Sequence, residues 1–398
     1  MNLPWHDWLS LLIRWLHVVT AIAWIGTSFY FIWLDKSLRR RSELPPGTVG
    51  ESWFVHGGGF YQLQKFAVAP AELPPQLHWF KYEAYFTWLS GFALLAVMYY
   101  WGAEHFLIDP QRIAFSRLPA IATSVAFLAG GWLAYDLLCR SPIGRHTTLL
   151  AVSVFALLVV SAWALNQLFS DRAAFMHIGA MIATMMSANV FFVIIPNQKK
   201  VVNALKAGAT PALQLGQQAG QRSLHNNYLT LPVVLLMMSA HYPMLFAAGA
   251  DLSWLVVALI LVIGGVIRDF FNIHHEGGRG LRLLWQWPLA GALIVALAWL
   301  LASYSAPAQN YQLVVSDGDA LAIVRAHCSG CHANVPSVAH FSTAPAGVIL
   351  ESLADLRRQR TQVLAQAVST RVMPLGNPTA MTLEDRARLG TWIRQQSN

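Results

Sequence analysis

Cys328, Cys331 and His332 stand as C-x-x-C-H within the stretch VRAHCSGCHANVPS. Two thiols three residues apart can each form a thioether to a porphyrin vinyl group, while the adjacent imidazole reaches the iron from the same turn. Downstream, STRVMPLGNPTAM supplies Met373. A thioether opposite an imidazole is the axial pair that raises a cytochrome's potential and suits it to accept electrons. Met381 competes for that role. The other readings of the motif, a redox dithiol or half of a zinc site, need a thioredoxin-like pattern or a second ligand pair, and the sequence holds neither. Cys139, the third cysteine, ends an apolar stretch and reads as a small buried hydrophobe.

The elements that must position these donors can be traced from the pattern. A helix is expected from about Asp317 to His327, another over about 350–369, and a last one in TLEDRARLGTWIRQQ, with Thr382 as N-cap and acids in its first turn. Helix, attachment motif, helix, Met, helix resembles the small single-haem cytochrome c fold over residues 315–396. It follows a polar, Pro-containing linker at 305–316, so 317–398 is expected to be a separate soluble domain with one covalent haem c.

Before that linker the chain is of another kind. Of its 398 residues 56% are hydrophobic and only 12% charged, about half the charged share of an ordinary soluble domain. Apolar windows at about 9–34, 84–102, 118–138, 147–168, 173–195, 228–248, 252–267 and 284–304, the first of them long enough to cross a bilayer, predict an all-α, polytopic bundle of about eight helices over 1–304. The sixth and seventh windows are divided only by a short segment with Pro243. The first window lacks a basic leader and a cleavage site, so it reads as a retained span rather than a signal peptide. The loops after the odd-numbered helices carry 15 Lys and Arg against 4 on the other side. That places both the N-terminus and the tail outside, in the periplasm of a bacterial inner membrane, where c-type haem is attached. The net charge of +8 is spread over these loops and forms no nucleic-acid-binding stripe.

The two halves resemble one another. HVVTAIAWIGTSFYFIW from His17 aligns with HIGAMIATMMSANVFFVI from His177, and EAYFTW from Glu83 with NNYLTL from Asn226. Four helices per unit would make these parallel 4+4 repeats, or the likeness is the chance similarity of apolar segments. His17 and His177, a turn or two from the outer face, have the placement of bis-imidazole ligands of a membrane haem b, or of hydrogen-bonded packing residues.

HVVTAIAWIGTSFYFIWLD, HGGGFYQLQKF, LHWFKYEAYFTWLSG, RSLHNNYLTLPV and RDFFNIHHEG, taken in order, resemble the membrane-bound urate oxidase (urate hydroxylase or dehydrogenase) family, in which an eight-helix domain is fused to a C-terminal cytochrome c. The resemblance implies oxidation of urate to 5-hydroxyisourate, with electrons passing to cytochrome c and on to a soluble cytochrome c or terminal oxidase. Such chemistry needs a base, donors for purine carbonyls and aromatic walls. Three polar segments are expected at the cytoplasmic mouth. They are 56–83 with His56, His78, Lys81 and Glu83; the second with Arg222, His225, Asn226 and Asn227; and the third with Asp269, Asn272, His274 and His275. Asn amides match a purine's donors and acceptors, Arg222 or Lys81 could hold its charge, and Glu83 or His225 could take protons. The bland readings are positive-inside anchors for Arg222, Arg268 and Lys81, helix caps for the Asn pair, and solvated loop residues for His274 and His275. Gly57–Gly59 reads as a turn that lets the backbone pass near another element.

A substrate inside and a haem outside would be separated by about 30 Å of hydrocarbon. A haem b, a file of Trp and Tyr side chains, or substrate entry from the outside would each resolve this. Two other classes of function remain in view: a membrane electron conduit fed by quinol or haem b, without urate chemistry, and a transporter assisted by its cytochrome, suggested by the repeats.

Overall fold

The computed structural model describes residues 5–67, 73–246, 252–304, 314–338 and 341–396. Each of the eight expected windows holds a helix, although the sixth, expected to run to about 248, ends at Met238, and residues 247–248 lie outside the described residues. We label the helices α1 (Trp5–Ser37), α2 (Tyr82–Leu95), α3 (Arg117–Arg140), α4 (Thr147–Leu168), α5 (Asp171–Ala188), α6 (Leu213–Met238), α7 (Ser253–His275) and α8 (Gln286–Tyr304). Six helical segments are long and apolar enough to cross a membrane, and the chain is a membrane protein with an all-α bundle. Around Pro243 the chain breaks into two short 3-10 turns, so α6 and α7 are separate helices.

The bundle is built around α5, which packs against α2, α3, α4 and α6 and buries twelve of its residues, His177 among them. At the other extreme, α1 turns Trp8, Leu11, Leu12, Trp15 and Ile22 outward, as expected of a helix bathed in lipid rather than water. Both α2 and α5 pass into a π-helical stretch, at Ala96–Tyr100 and Asn189–Ile194. Such bulges re-aim side chains within a continuous helix and are common at functional sites.

One element departs from the all-α expectation. Within the charged loop after α1, β1 (Thr48–His56) pairs antiparallel with β2 (Gly59–Phe66). Gly57 and Gly58 make its two-residue turn at φ +57° and +81°, angles that a hairpin of this length requires and that glycine adopts without cost. A Cβ on either would meet nothing within 4 Å, so the glycines serve the turn itself, not the close approach expected from the sequence.

The C-terminal segment folds on its own small core of Ala320, Val324, Leu356, Leu389, Trp392 and Ile393. It comprises α9 (Asp317–His327), α10 (Leu353–Arg358, continued by helical turns to Ser369) and α11 (Leu383–Gln395). Each starts with a reciprocal capping box, Ser316 with Asp319, Ser352 with Asp355 and Thr382 with Asp385, which satisfies first-turn amides that would otherwise be orphaned. Most of the expected linker, 305–313, lies outside the described residues.

This segment lies against the end of the bundle that carries the start of α1. Ser342 donates to Asp7, Phe341 meets His105 and Phe106 at ring distances of 6.5 and 6.4 Å, and Val372 and Leu375 pack on the bundle core. Gly376, at φ +65°, lies so close to the backbone that a Cβ would come within 2.8 Å of the Ile108 carbonyl oxygen.

Candidate functional site

Three polar centres, two in the bundle and one in the C-terminal segment, gather most of the residues singled out from the sequence. The first centres on Arg222, buried at 3% exposure. Its guanidinium donates to Asp136 at 2.8 Å and to Asn189 at 3.2 Å, and lies over the Tyr135 ring. Asn189, from the π-helical stretch after α5, donates through Nδ2 to the Tyr135 hydroxyl and to Asn226 Oδ1. Asn226 in turn donates to the Met186 carbonyl. The Tyr135 hydroxyl, already an acceptor, must send its own proton to His225 Nδ1, 2.8 Å away, which fixes His225 as the Nε2–H tautomer. Asp136 also accepts from Arg140. The charge of Arg222 is thus answered by a carboxylate, and this network is closed.

A second centre lies between α1, α6 and α7. Arg268, 4% exposed, stacks over the Phe29 ring at 4.3 Å and reaches Asn272 Oδ1 only at 3.5 Å. Asn272 donates to Asn227 Oδ1 at 3.1 Å. The neighbouring acid, Asp269, is taken by Tyr228 and Gln286. Among the described residues no carboxylate pairs with Arg268, and Arg268 Nε, Asn227 Nδ2 and His275 Nδ1 have no partner.

The expected residues therefore divide. Arg222, His225 and Asn226 belong to the first centre and Asn227 to the second. Glu83, half-buried in the first turn of α2, is joined to neither by a hydrogen bond or ion pair among the described residues. His56 is exposed at the tip of β1, His78 packs on Phe80, and Lys81 sits over Tyr82. His274 stacks on Phe270. Tyr135, Asp136, Asn189 and Phe29 went unnoticed in the sequence. Asp136 and Asn189 carried a signal, since each is a polar residue inside an apolar helix.

His17 and His177 occupy a layer nearer the docked end. His17 Nδ1 lies 3.1 Å from the Thr87 carbonyl, so it donates there, and Nε2 makes no hydrogen bond among the described residues. His177 Nδ1 donates to the Ala173 carbonyl, and its Nε2 accepts from Ser124, which accepts in turn from Tyr100. His17 fits an axial haem ligand, whereas His177, with both nitrogens engaged and its ring between Tyr99 and Phe169, does not fit in this arrangement. Aromatic rings run through the same region. Trp88 stacks on Phe92 and Phe92 meets Tyr100; across Ser124, a second run of His177, Tyr99, Phe106 and Phe341 has ring distances of 5.8, 6.2 and 6.4 Å.

The third centre is the C-x-x-C-H turn that follows α9. His332 Nδ1 donates to the Val348 carbonyl at 2.9 Å, which fixes the tautomer and leaves Nε2 as the lone-pair nitrogen an iron would take. Met373 and Cys328 both border the small core, and Arg386 holds the Met373 and Ala367 carbonyls at 2.5 Å. Met381 is 2% exposed inside that core, so Met373 is the more available thioether. Burial pushes the Cys328 thiol up to about 11 and raises that of Cys331, which makes them poor redox thiols. Among the described residues no group of three or more His, Cys, Asp and Glu side chains gathers, so no second ligand pair completes a zinc site. The donor set fits a covalent haem c.

Compared with known proteins, residues 4–302 match the family described as urate oxidase N-terminal. No curated protein and no solved structure matches. The match takes in all eight bundle helices but for the last residues of α8, and the chain belongs to the urate oxidase N-terminal family.

Proposed function

We propose that the chain oxidises urate to 5-hydroxyisourate in its helical bundle and passes the electrons to a haem c held by Cys328, Cys331, His332 and Met373. The observation that carries this reading is the family match over 4–302 in a chain whose C-x-x-C-H segment docks on the bundle through the loop after Met373. In the reaction urate and one water give 5-hydroxyisourate, two protons and two electrons, the water oxygen forming the new C5–O bond. A bound haem c supplies a one-electron acceptor of raised potential.

The chain's own residues would bind the purine, take its protons and keep water to the one molecule consumed. Asn227 brings an amide to the mouth of the bundle, where Arg222 and Asn226, tied up in their own network, form the neighbouring polar wall. His225 Nδ1 already accepts the Tyr135 proton, so Glu83, half-buried and with a carboxylate not engaged by any hydrogen bond or ion pair among the described residues, is the base we assign. The aromatic file from Trp88 to Phe341 supports a route of short steps toward the docked segment. Since His177 does not present a free nitrogen, no step is assigned to a haem b. The orientation we propose is periplasmic for the N-terminus and the cytochrome segment in a bacterial inner membrane, with a soluble cytochrome c or terminal oxidase as the onward acceptor.

The test is product analysis. Purified oxidised protein incubated with urate under argon in 18O-water should yield 5-hydroxyisourate carrying one 18O. Urate left intact, with the haem reducible by quinol, would instead make the chain an electron conduit.

A further inference from the structure

Two buried arginines face the interior of the bundle, and their charge accounts differ. Arg222 has Asp136 at 2.8 Å, and no atom of its network is among the buried polar atoms left without a partner. Arg268 is equally buried but, among the described residues, has only the Phe29 and Phe271 rings and one amide oxygen at the limit of hydrogen-bond distance. A guanidinium without an anion is costly to bury and persists where something negative comes to it. Arg268, Asn272 and His275 lie at i, i+4 and i+7 of α7, on one helix face. Asn227 meets that face from α6 and Phe29 from α1. The unpartnered atoms are also there: Arg268 Nε, Asn227 Nδ2 and His275 Nδ1. Buried polar atoms are rarely left unpaired, and three on one face point to a ligand that supplies acceptors.

We propose that Arg268, with Asn227 and Asn272, is the anchor for the anionic substrate, and that Arg222 is a structural residue that shapes the neighbouring wall. This rests on the proposed urate reaction and deepens it. Urate is a planar monoanion at neutral pH with carbonyl oxygens on both rings. The Arg268 fork matches an anionic edge with two parallel donors, Asn227 Nδ2 supplies a donor to a carbonyl oxygen, and Phe29 holds the guanidinium plane from behind.

The experiment is equilibrium binding of radiolabelled urate to full-length protein reduced with dithionite, so that no turnover occurs, with thermal melting measured on each sample. Arg268→Gln should weaken binding about 10- to 100-fold, the loss of a charge-assisted hydrogen bond, and raise KM far more than it lowers kcat. Arg222→Gln should lower the melting temperature, while the protein that remains folded binds urate within about threefold of the parent, short of the tenfold that such a bond carries. Should Arg268→Gln fail to assemble, Asn227→Ala removes one orphaned donor and should weaken binding by several-fold with the melting temperature kept. Parent protein that binds urate while folded Arg268→Gln or Asn227→Ala binds it equally well would overturn the anchor alone. Parent protein that binds no urate would overturn the functional reading beneath it.

Discussion

Arg222 and Asp136 show how burial decides what a charge is worth. Removing one member of a buried pair leaves the other uncompensated, which costs about 3–5 kcal/mol, whereas replacing both together costs much less. Asp136→Asn and Arg222→Gln should therefore each destabilise the bundle, and the double variant should recover part of the loss; equal additive losses in a thermal melt would show that the pair is not coupled. The same logic of environment separates the two thioethers. Met381 is locked in the small core, with its amide accepted by Asn377, while Met373 borders it and has its carbonyl held by Arg386. Met373→Ala should abolish the near-infrared Met-to-iron band and lower the haem potential, leaving covalent attachment intact. Loss of that band in Met381→Ala instead would reverse the assignment. Residue types alone singled out Arg222, His225, Asn226, Asn227 and the four side chains proposed to hold a haem c. They could not tell which arginine had a carboxylate, because Asp136 lies 86 positions from Arg222 in the chain.

At the scale of elements, periodicity and caps were readable because they are local. The α9 boundaries, Asp317–His327, and the Thr382 cap of α11 stand where the sequence put them, and each apolar window holds a helix, the sixth ending at Met238 where the sequence suggested about 248. The hairpin at 48–66 was missed: its alternating Val, Trp and Phe sat inside a charged loop, although two consecutive glycines between such runs are a turn signal. The π-helical stretches left no trace at all, since nothing in AVMYY or NVFFVI distinguishes a wide turn from an ordinary one. The capping boxes also set a pH response. The Ser316 and Ser352 hydroxyls hold Asp319 and Asp355 below the ordinary carboxylate range. A pKa depressed on folding means stabilisation that is complete above the unfolded value and lost as pH falls through the folded one. The C-terminal transition, followed at the Soret band, should thus move to lower temperature as pH drops below about 4, with a flatter response in a Ser316→Ala, Ser352→Ala double variant. An identical pH slope in that variant would remove the caps as its cause.

For the whole molecule, the decisive feature is that the C-x-x-C-H segment rests on the same end of the bundle as the start of α1. Its contact is a tight one, made by a glycine whose missing Cβ admits the Ile108 and His105 carbonyls. Gly376→Val must push the loop after Met373 away from that end; it should slow reduction of the haem by urate but not by dithionite, while equal rates would mean that the contact carries no electrons. None of this docking could be read from the chain, because His105 and Gly376 are far apart in sequence and meet only in the folded molecule.

The central claim is that urate held in the bundle reduces a haem c in the same chain. Anaerobic stopped-flow absorbance of the oxidised protein mixed with limiting urate tests it most directly. The account predicts a first phase of c-haem reduction at a rate independent of protein concentration once urate is bound, then a slower phase that depends on protein concentration as the second electron reaches another molecule's haem, to a total of two haems reduced for each urate consumed. A c-haem that stays oxidised while urate persists, in protein that dithionite reduces fully, would contradict it.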